Sequence, residues 1–167
     1  MPPATTEATE VRQAQAADRS LLLPLLIETD AYYVEGRDDP AKAEASCDLL
    51  LSGSDHLGAL IAIQGGAGLG YASFARLVPG DAHGGTLFLK DLFVSNKARG
   101  QGVGQLLMSA LAGWAIQNGL RRLDWTANAG DNQSITFYER LGARPTPEKI
   151  YFRADLDALS EMAHGKR

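Results

Sequence analysis

A glycine-rich loop between an apolar strand and a long amphipathic helix is the feature that most constrains this chain. The loop centres on Arg99-Gly100-Gln101-Gly102-Val103-Gly104. Residues 87–94, just before it, are rich in apolar, β-preferring side chains and predict a strand. The helix predicted after the loop ends at Asn118-Gly119, and one apolar face recurs along it at helical spacing: Val103, Leu106, Leu107, Ala110, Leu111, Trp114 and Ala115.

Glycines at this junction allow successive backbone N–H groups to point to one place at the positive end of a helix dipole. Such a loop binds phosphate or pyrophosphate without a side-chain charge, whereas a tight turn that serves packing alone is the simpler alternative. Three alternating glycines and the preceding Arg99 favour the phosphate site. The loop is not a Walker A motif, and its G-x-G-x-G spacing is a poor match to the dinucleotide fingerprint.

The remaining pattern predicts a single α+β domain over residues 1–167, with helices on a central sheet. Residues 1–9 are expected to be disordered, and residues 164–167 form a polar tail. The first half is predicted to contain a strand at 11–14, a helix capped by Asp18 or Ser20, a helix from Asp39-Pro40 and a hairpin of strands 56–64 and 69–78. The elements predicted after the long helix are a strand at 121–127, a helix capped by Asp131 or Asn132 that ends at Leu141-Gly142, a last strand at 149–155 and a short helix at 158–162.

Composition argues against several classes of protein. The net charge of −4 is unfavourable for a nucleic-acid partner, and no apolar run approaches the roughly 20 residues of a membrane helix. The N-terminus has no signal-peptide pattern, and the single Cys47 suits a reducing compartment, so a cytoplasmic location is expected. His56, His83 and His164 pair with no cysteine at ligand spacing, and no metal site is expected.

Two motifs resemble the GCN5-related N-acetyltransferases. The first is R-x-x-G-x-G at Arg99–Gly104 after a strand that ends Asp-Leu-Phe-Val; the second is Ser134-Ile-Thr-Phe-Tyr-Glu-Arg-Leu-Gly-Ala, which ends at Ala143. Their order and spacing are those of the family, and together they cover about a third of the chain. The resemblance implies that family's fold, a central mixed and mostly antiparallel sheet flanked by helices. It also implies acetyl-CoA as the co-substrate, held where the fourth and fifth strands diverge.

The resemblance also implies which residues hold the cofactor. Backbone groups of the strand end pair with the pantetheine amides, the loop N–H groups hold the pyrophosphate, and an asparagine of the second motif contacts the cofactor. Asp131 stands where the family has that asparagine, so either Asn132 takes the role or Asp131 serves only as a helix cap. The cofactor residues are thus Leu92, Phe93, Val94, Arg99, Gly100, Gln101, Gly102, Val103, Gly104, Gln105 and Asn132.

For catalysis, the second motif places Tyr138 where the family has the tyrosine that protonates the coenzyme A sulfur. Periodicity alone favours a core tyrosine on an amphipathic helix, and the motif match reverses that preference. Asp91 is the candidate base, although a strand aspartate is equally compatible with a purely structural role. The closest subgroup, the diamine and polyamine acetyltransferases, has Glu where this chain has Lys90, which puts a polyamine acceptor in doubt.

The predicted acceptor is a primary amine of a small molecule, attacked directly in a ternary complex. The acidic segment around Glu28 and Asp30, with Tyr33 beside it, is the candidate substrate site, and a solvated loop is the alternative. Protein amines remain possible acceptors; an acyl-CoA-binding module without turnover and a nucleotide-binding domain are the rival functions. A homodimer is the family expectation, and the apolar predicted last strand would suit one.

Overall fold

A computed structural model describes residues 7–33, 39–78 and 84–165. Predictions that fall on residues 1–6, 34–38, 79–83 and 166–167, including those on His83 and part of the acidic segment, lie outside the described residues. The chain divides into two compact units, Met1–Thr126 and Ala127–Arg167. That the whole chain forms one domain stays a prediction.

The first unit contains a five-stranded sheet in the order β1-β2-β3-β4-β5. Neighbouring strands run antiparallel except β4 and β5, which are parallel. The parallel pair needs a crossover, and the long helix after the glycine loop supplies it. The strands are β1 (Glu10–Gln13), β2 (Leu57–Gln64), β3 (Ala67–Leu77), β4 (Thr86–Val94) and β5 (Arg122–Asp124).

Helices cover both faces of this sheet. On one face, α1 (Arg19–Tyr33) and α2 (Pro40–Leu50) bury Leu22 and Cys47 against side chains such as Tyr71 and Phe93. On the other, α3 (Val103–Gln117) packs Trp114 against Phe74, with ring centroids 4.5 Å apart. The mixed, mostly antiparallel sheet flanked by helices confirms the predicted fold class.

The second unit contains α4 (Asn132–Arg140) and α5 (Leu156–Ala163). Asp131 is the N-cap of α4, because its carboxylate accepts hydrogen bonds from the backbone N–H of Ser134 at 3.0 Å and from the Ser134 hydroxyl at 2.6 Å. These bonds to Ser134 lower the pKa of the Asp131 carboxyl. Of the two capping residues that the sequence allows, the structure therefore selects Asp131.

Two strand predictions differ from the structure. The strand predicted at 121–127 is only three residues long, Arg122–Asp124, because β4 pairs with it only over Thr86–Phe88. The strand predicted at 149–155 is wrong: these residues have no strand structure and α5 follows them. Apolar, β-preferring residues predict a strand only where a second strand can take up the backbone hydrogen bonds, and residues 127–165 contain none.

Among the described residues, no helix has the length and apolar character that crossing a membrane requires. In the same part of the chain, no group of three or more His, Cys, Asp or Glu side chains is arranged to hold a metal ion. Cys47 is a buried free thiol whose pKa is raised by burial.

Asp18 and Arg12 form a bidentate salt bridge just before α1. Removal of this salt bridge gives a first prediction. The guanidinium donates to both carboxylate oxygens at 2.6 and 2.7 Å, and Asp18 is 5% exposed. We expect Asp18→Asn to lower the free energy of unfolding by about 2 kcal/mol, since the Arg12 guanidinium loses its charged partner and an amide has only one oxygen to accept its two hydrogen bonds. Asp48→Asn, which breaks an exposed pair with Arg19, is the control and is expected to cost under about 1 kcal/mol.

The same pair predicts a pH dependence. Bonding to Arg12 holds the pKa of the Asp18 carboxyl below its ordinary value of 3.8. The stability from this pair is therefore fully present above the unfolded-state pKa and is lost as pH falls through the folded-state pKa. Urea unfolding at pH 7 and at pH 2 should show that wild type and Asp18→Asn converge in acid. A difference that is unchanged at pH 2 would contradict the assignment.

Candidate active site

The glycine loop begins directly at the end of β4. A 3-10 turn at Asn96–Ala98 follows Ser95, and Gly100 and Gly102 then adopt φ of +75° and +79°. A Cβ atom at either glycine would meet nothing within 4 Å, so it is the left-handed backbone that requires glycine there, and not lack of space. Gly102 is the N-cap of α3, so the first N–H groups of that helix are directed into the loop without intrahelical partners.

The second half of β4 does not pair with β5. The parallel pairing with β5 ends at Phe88, whereas the antiparallel pairing with β3 continues to Val94. Backbone groups of Leu92, Phe93 and Val94 on the β5 side are thus not used by β5. Among the described strands, none pairs with the β5 side of β4 at the three residues predicted to bind pantetheine, and this stretch leads into the glycine loop.

Arg99 folds back over the end of β4. Its Nε donates to the Val94 carbonyl at 3.2 Å, and its guanidinium carbon lies 4.6 Å from the ring centroid of Tyr32 and 5.9 Å from that of Phe93. Arg99 is exposed, so its charge lies at the surface beside the loop. Gln101 adds a hydrogen bond within the loop, because its side-chain amide donates to the Lys97 carbonyl at 3.0 Å.

Glu28 links helix α1 to this loop. Its carboxylate accepts hydrogen bonds from the Asn96 backbone N–H at 2.9 Å and from the Ser95 hydroxyl at 3.2 Å. Glu28 also lines a cavity of about 570 Å³ together with Ala31, Tyr32, Tyr33 and Asn96. The carboxylate therefore holds the loop in place, and its predicted contact with substrate stays a prediction.

The other two predicted substrate residues lie on the same helix. Tyr33 is exposed, lines this cavity and packs edge-on against Tyr32, with ring centroids 5.0 Å apart. Asp30 is half-buried and is not among the residues that line the cavity. The C-terminal part of α1 thus brings an aromatic pair and two carboxylates close to the end of β4.

Tyr71 and Ser73 on β3 were missed by the sequence interpretation. Tyr71 is 1% exposed and donates to the Thr29 hydroxyl at 3.1 Å. Burial raises the pKa of Tyr71, the bond with Thr29 opposes the rise, and the negative charges of Asp91 and Asp30 add to it. Tyr71 on β3 is thus within electrostatic reach of one carboxylate on α1 and one on β4. Only the strand register, which a single sequence does not contain, brings these side chains together.

In the second unit, Asn132 is the first residue of α4 and Tyr138 lies in its last turn. The Tyr138 ring is half-buried and packs edge-on against Phe137, with ring centroids 5.2 Å apart. The helix therefore forms where the second motif predicts it, and the catalytic role of Tyr138 stays a prediction.

The fold agrees with what comparison with known proteins shows. Residues 24–143 match the Acetyltransferase (GNAT) family, and the chain therefore belongs to that family. The resemblance drawn from the two motifs is confirmed.

Particular relatives support the same conclusion. The chain is 33% identical over 75 residues to L-ornithine N5-acetyltransferase of Arabidopsis thaliana. These 75 residues are 45% of this chain and 33% of the plant enzyme. The chain therefore matches about a third of that enzyme's length.

Solved structures share the fold over nearly the whole chain. An integron cassette protein from the mobile metagenome of V. cholerae has a TM-score of 0.84 and 29% identity, covering 93% of this chain and 97% of that protein. An aminoglycoside N-acetyltransferase solved in complex with CoA has a TM-score of 0.76 and 22% identity, covering 92% of this chain and 99% of the other.

Proposed function

We propose that this protein transfers an acetyl group from acetyl-CoA to a primary amine of a small molecule. The observation that carries the proposal is the open edge of β4, which leads directly into a glycine loop at the N-terminus of α3. Family membership and a CoA-bound structural relative support acetyl-CoA as the co-substrate. The ornithine and aminoglycoside enzymes among its relatives support a small amine as the acceptor.

The cofactor is held in two places in this proposal. Backbone groups of Leu92, Phe93 and Val94 bind the pantetheine amides as an added strand would. The N–H groups of residues 99–105 bind the pyrophosphate at the positive end of the α3 dipole, and the Arg99 side chain adds a positive charge. Asn132 provides a further polar contact to the cofactor.

The acceptor is proposed to enter from the side of α1. Glu28, Asp30 and Asp91 give this region three carboxylates, and Tyr33 offers an aromatic face to an ammonium group. Their combined negative charge attracts a cationic amine before the amine loses its proton. A compact amine with a second positive charge suits this arrangement.

The chemistry requires an unprotonated amine, a held thioester and a proton for the departing thiolate. Asp91 takes the proton from the ammonium, directly or through water, so that the nitrogen lone pair can attack the thioester carbonyl. The new C–N bond forms as the C–S bond breaks, and the nitrogen then releases its second proton to solvent. Tyr138 donates its phenolic proton to the sulfur and regains a proton from solvent. Transfer in a ternary complex needs no covalent enzyme intermediate.

A non-catalytic acyl-CoA-binding module is the second candidate, and Lys90 favours it. Its ammonium lies 3.8 Å from a carboxylate oxygen of Asp91, and its side chain is 73% exposed. A positive charge there opposes the approach of a cationic acceptor. Such a module would bind acetyl-CoA as tightly as an enzyme would and would release no coenzyme A in the presence of amines. An acetyltransferase for protein amines would use the same residues on a larger acceptor.

A homodimer in the cytoplasm completes the proposal. In the second unit α5 exposes three apolar side chains along one face, Leu156, Leu159 and Met162, and the preceding segment exposes Ile150, Tyr151 and Phe152. An exposed apolar surface of this kind favours self-association. Light scattering should give twice the chain mass of 17.8 kDa, and a mass of one chain would contradict the dimer.

The buried free Cys47 suits a reducing compartment.

A panel of amines tests the proposed activity. Coenzyme A release and the mass of the acetylated product should be measured with diamines, basic amino acids, an aminoglycoside and a lysine-containing peptide. We expect turnover with at least one small amine and a much slower reaction with the peptide. Tight acetyl-CoA binding with no turnover on any amine would select the binding module, and preference for the peptide would select protein acceptors.

A further inference from the structure

A β-bulge in β4 determines which face of the sheet Asp91 occupies. Asp91 lies opposite Ser73, whereas Leu89 lies opposite Phe74, so Lys90 is an extra residue without a partner on β3. Side chains alternate between the faces of a strand, and one inserted residue reverses that alternation. Leu89 therefore shares the α3 face with Phe74, and Asp91 is moved to the α1 face.

On the α1 face, Asp91 joins the residues already described there. Register places it on the same face as Phe93, and Ser73 on the same face as Tyr71. Tyr71 and Phe93 are the residues that pack against α1 and α2. Without the bulge, the carboxylate would point with Leu89 into the apolar layer under α3. The bulge therefore brings a charged group to the side of the sheet where the acceptor is proposed to bind.

Ser73 and Asp91 are joined by two hydrogen bonds. The Ser73 hydroxyl donates to one carboxylate oxygen of Asp91, Oδ2, at 2.9 Å and accepts the Asp91 backbone N–H at 3.1 Å. Ser73 is 3% exposed, so its hydroxyl is shielded from competing water. A single serine thus satisfies the N–H group that the bulge removes from the ladder, and it also fixes the rotation of the carboxylate.

The second carboxylate oxygen of Asp91, Oδ1, belongs to a partly exposed side chain. The Asp91 side chain is 40% exposed, and the ammonium of Lys90, whose side chain is 73% exposed, lies 3.8 Å from its Oδ1. An ionised carboxylate accepts hydrogen bonds at both oxygens, so one bond from Ser73 leaves Oδ1 able to accept another. Asp91 therefore has one fixed oxygen and one oxygen that a bound molecule can reach.

We infer that Ser73 is a positioning residue that holds Asp91 Oδ1 towards the acceptor amine, an inference that rests on the proposed acetyl transfer. In the reaction, an N–H bond of the ammonium breaks and an O–H bond forms at Oδ1, while Ser73 keeps its own proton and its bond to Oδ2. The proton later passes from Oδ1 to solvent. Ser73 touches neither the acceptor nor acetyl-CoA, and it acts through the carboxylate.

A double-mutant cycle tests this inference. Ser73→Ala is expected to lower kcat about tenfold and to leave the KM for acetyl-CoA unchanged, because a hydrogen bond to a charged group is lost. Ser73→Thr, which keeps the hydroxyl, should recover most of the activity. In a chain that already carries Asp91→Asn, Ser73→Ala should produce almost no further loss, since effects that pass through one group are not additive.

A control separates positioning from stability. Thr86→Val removes a different buried hydroxyl, on β4, and should lower Tm without changing kcat. Two results would overturn the inference: the same fractional loss from Ser73→Ala with and without Asp91→Asn, or no recovery in Ser73→Thr at a wild-type Tm. If wild type acetylates no amine, the proposed function fails first and the role of Ser73 falls with it. If wild type is active and the effects are additive, only the role of Ser73 fails.

Discussion

Replacement of Tyr138 by phenylalanine is expected to lower kcat by about 10²- to 10⁴-fold while the Kd for acetyl-CoA changes less than about twofold. The substitution removes one hydroxyl and keeps the ring, so the packing against Phe137 is retained. A neutral phenol can donate a proton at pH 7, and phenylalanine leaves the departing thiolate to be protonated by water. Steady-state kinetics and calorimetric titration with acetyl-CoA measure the two quantities separately.

Tyr151→Phe is the matched control for Tyr138→Phe. Tyr151 lies in the same unit, is 65% exposed and stacks against Arg153, so loss of its hydroxyl should leave kcat unchanged. The role of Tyr138 would be contradicted if Tyr138→Phe kept more than half of the wild-type kcat. A parallel loss of Tm and kcat would indicate a structural role of the tyrosine on α4.

The second large effect is expected at the glycine loop. Gly102→Val should weaken acetyl-CoA binding at least about tenfold, because a β-branched residue resists the φ of +79° that this position requires. The backbone would then turn its N–H groups away from the place where they meet at the start of α3. Tm should fall only modestly, since a Cβ at Gly102 contacts nothing within 4 Å.

Gly113→Ala provides the control within the same helix. A Cβ at Gly113 also meets nothing within 4 Å, and its helical backbone suits alanine. This variant should raise stability by about 0.5–1 kcal/mol and leave the acetyl-CoA affinity as in wild type. Equal affinity in Gly102→Val and wild type would remove the loop from the cofactor site.

Local patterns predict most of the first unit. The apolar stretch before the loop, the glycines and the periodic face after them are all short-range features, and β4 and α3 form where they indicate. The hairpin of β2 and β3 follows in the same way from two apolar runs around Gly65-Gly66. Elements of this kind are specified by residues that are close in sequence.

Features that depend on pairing between strands were not predictable. The bulge at Lys90 is defined by the pairing of Asp91 with Ser73 and of Leu89 with Phe74 on the neighbouring strand. The incorrect strand prediction at 149–155 has the same cause, since the composition there favours a strand but residues 127–165 contain no second strand to pair with it. The contact of Ser73 with Asp91 therefore emerges only from the folded structure.

Acetyl-CoA binding is the central claim, and thermal unfolding of the wild-type chain tests it most directly. Tm should be measured alone and with acetyl-CoA, coenzyme A, ATP or NAD. A ligand at about 100 times its Kd adds roughly 2.7 kcal/mol to the folded state, which corresponds to a rise of several degrees for a chain of this length. We predict that rise with acetyl-CoA or coenzyme A and none with NAD. No shift with either CoA compound, or a shift with ATP or NAD alone, would contradict the account.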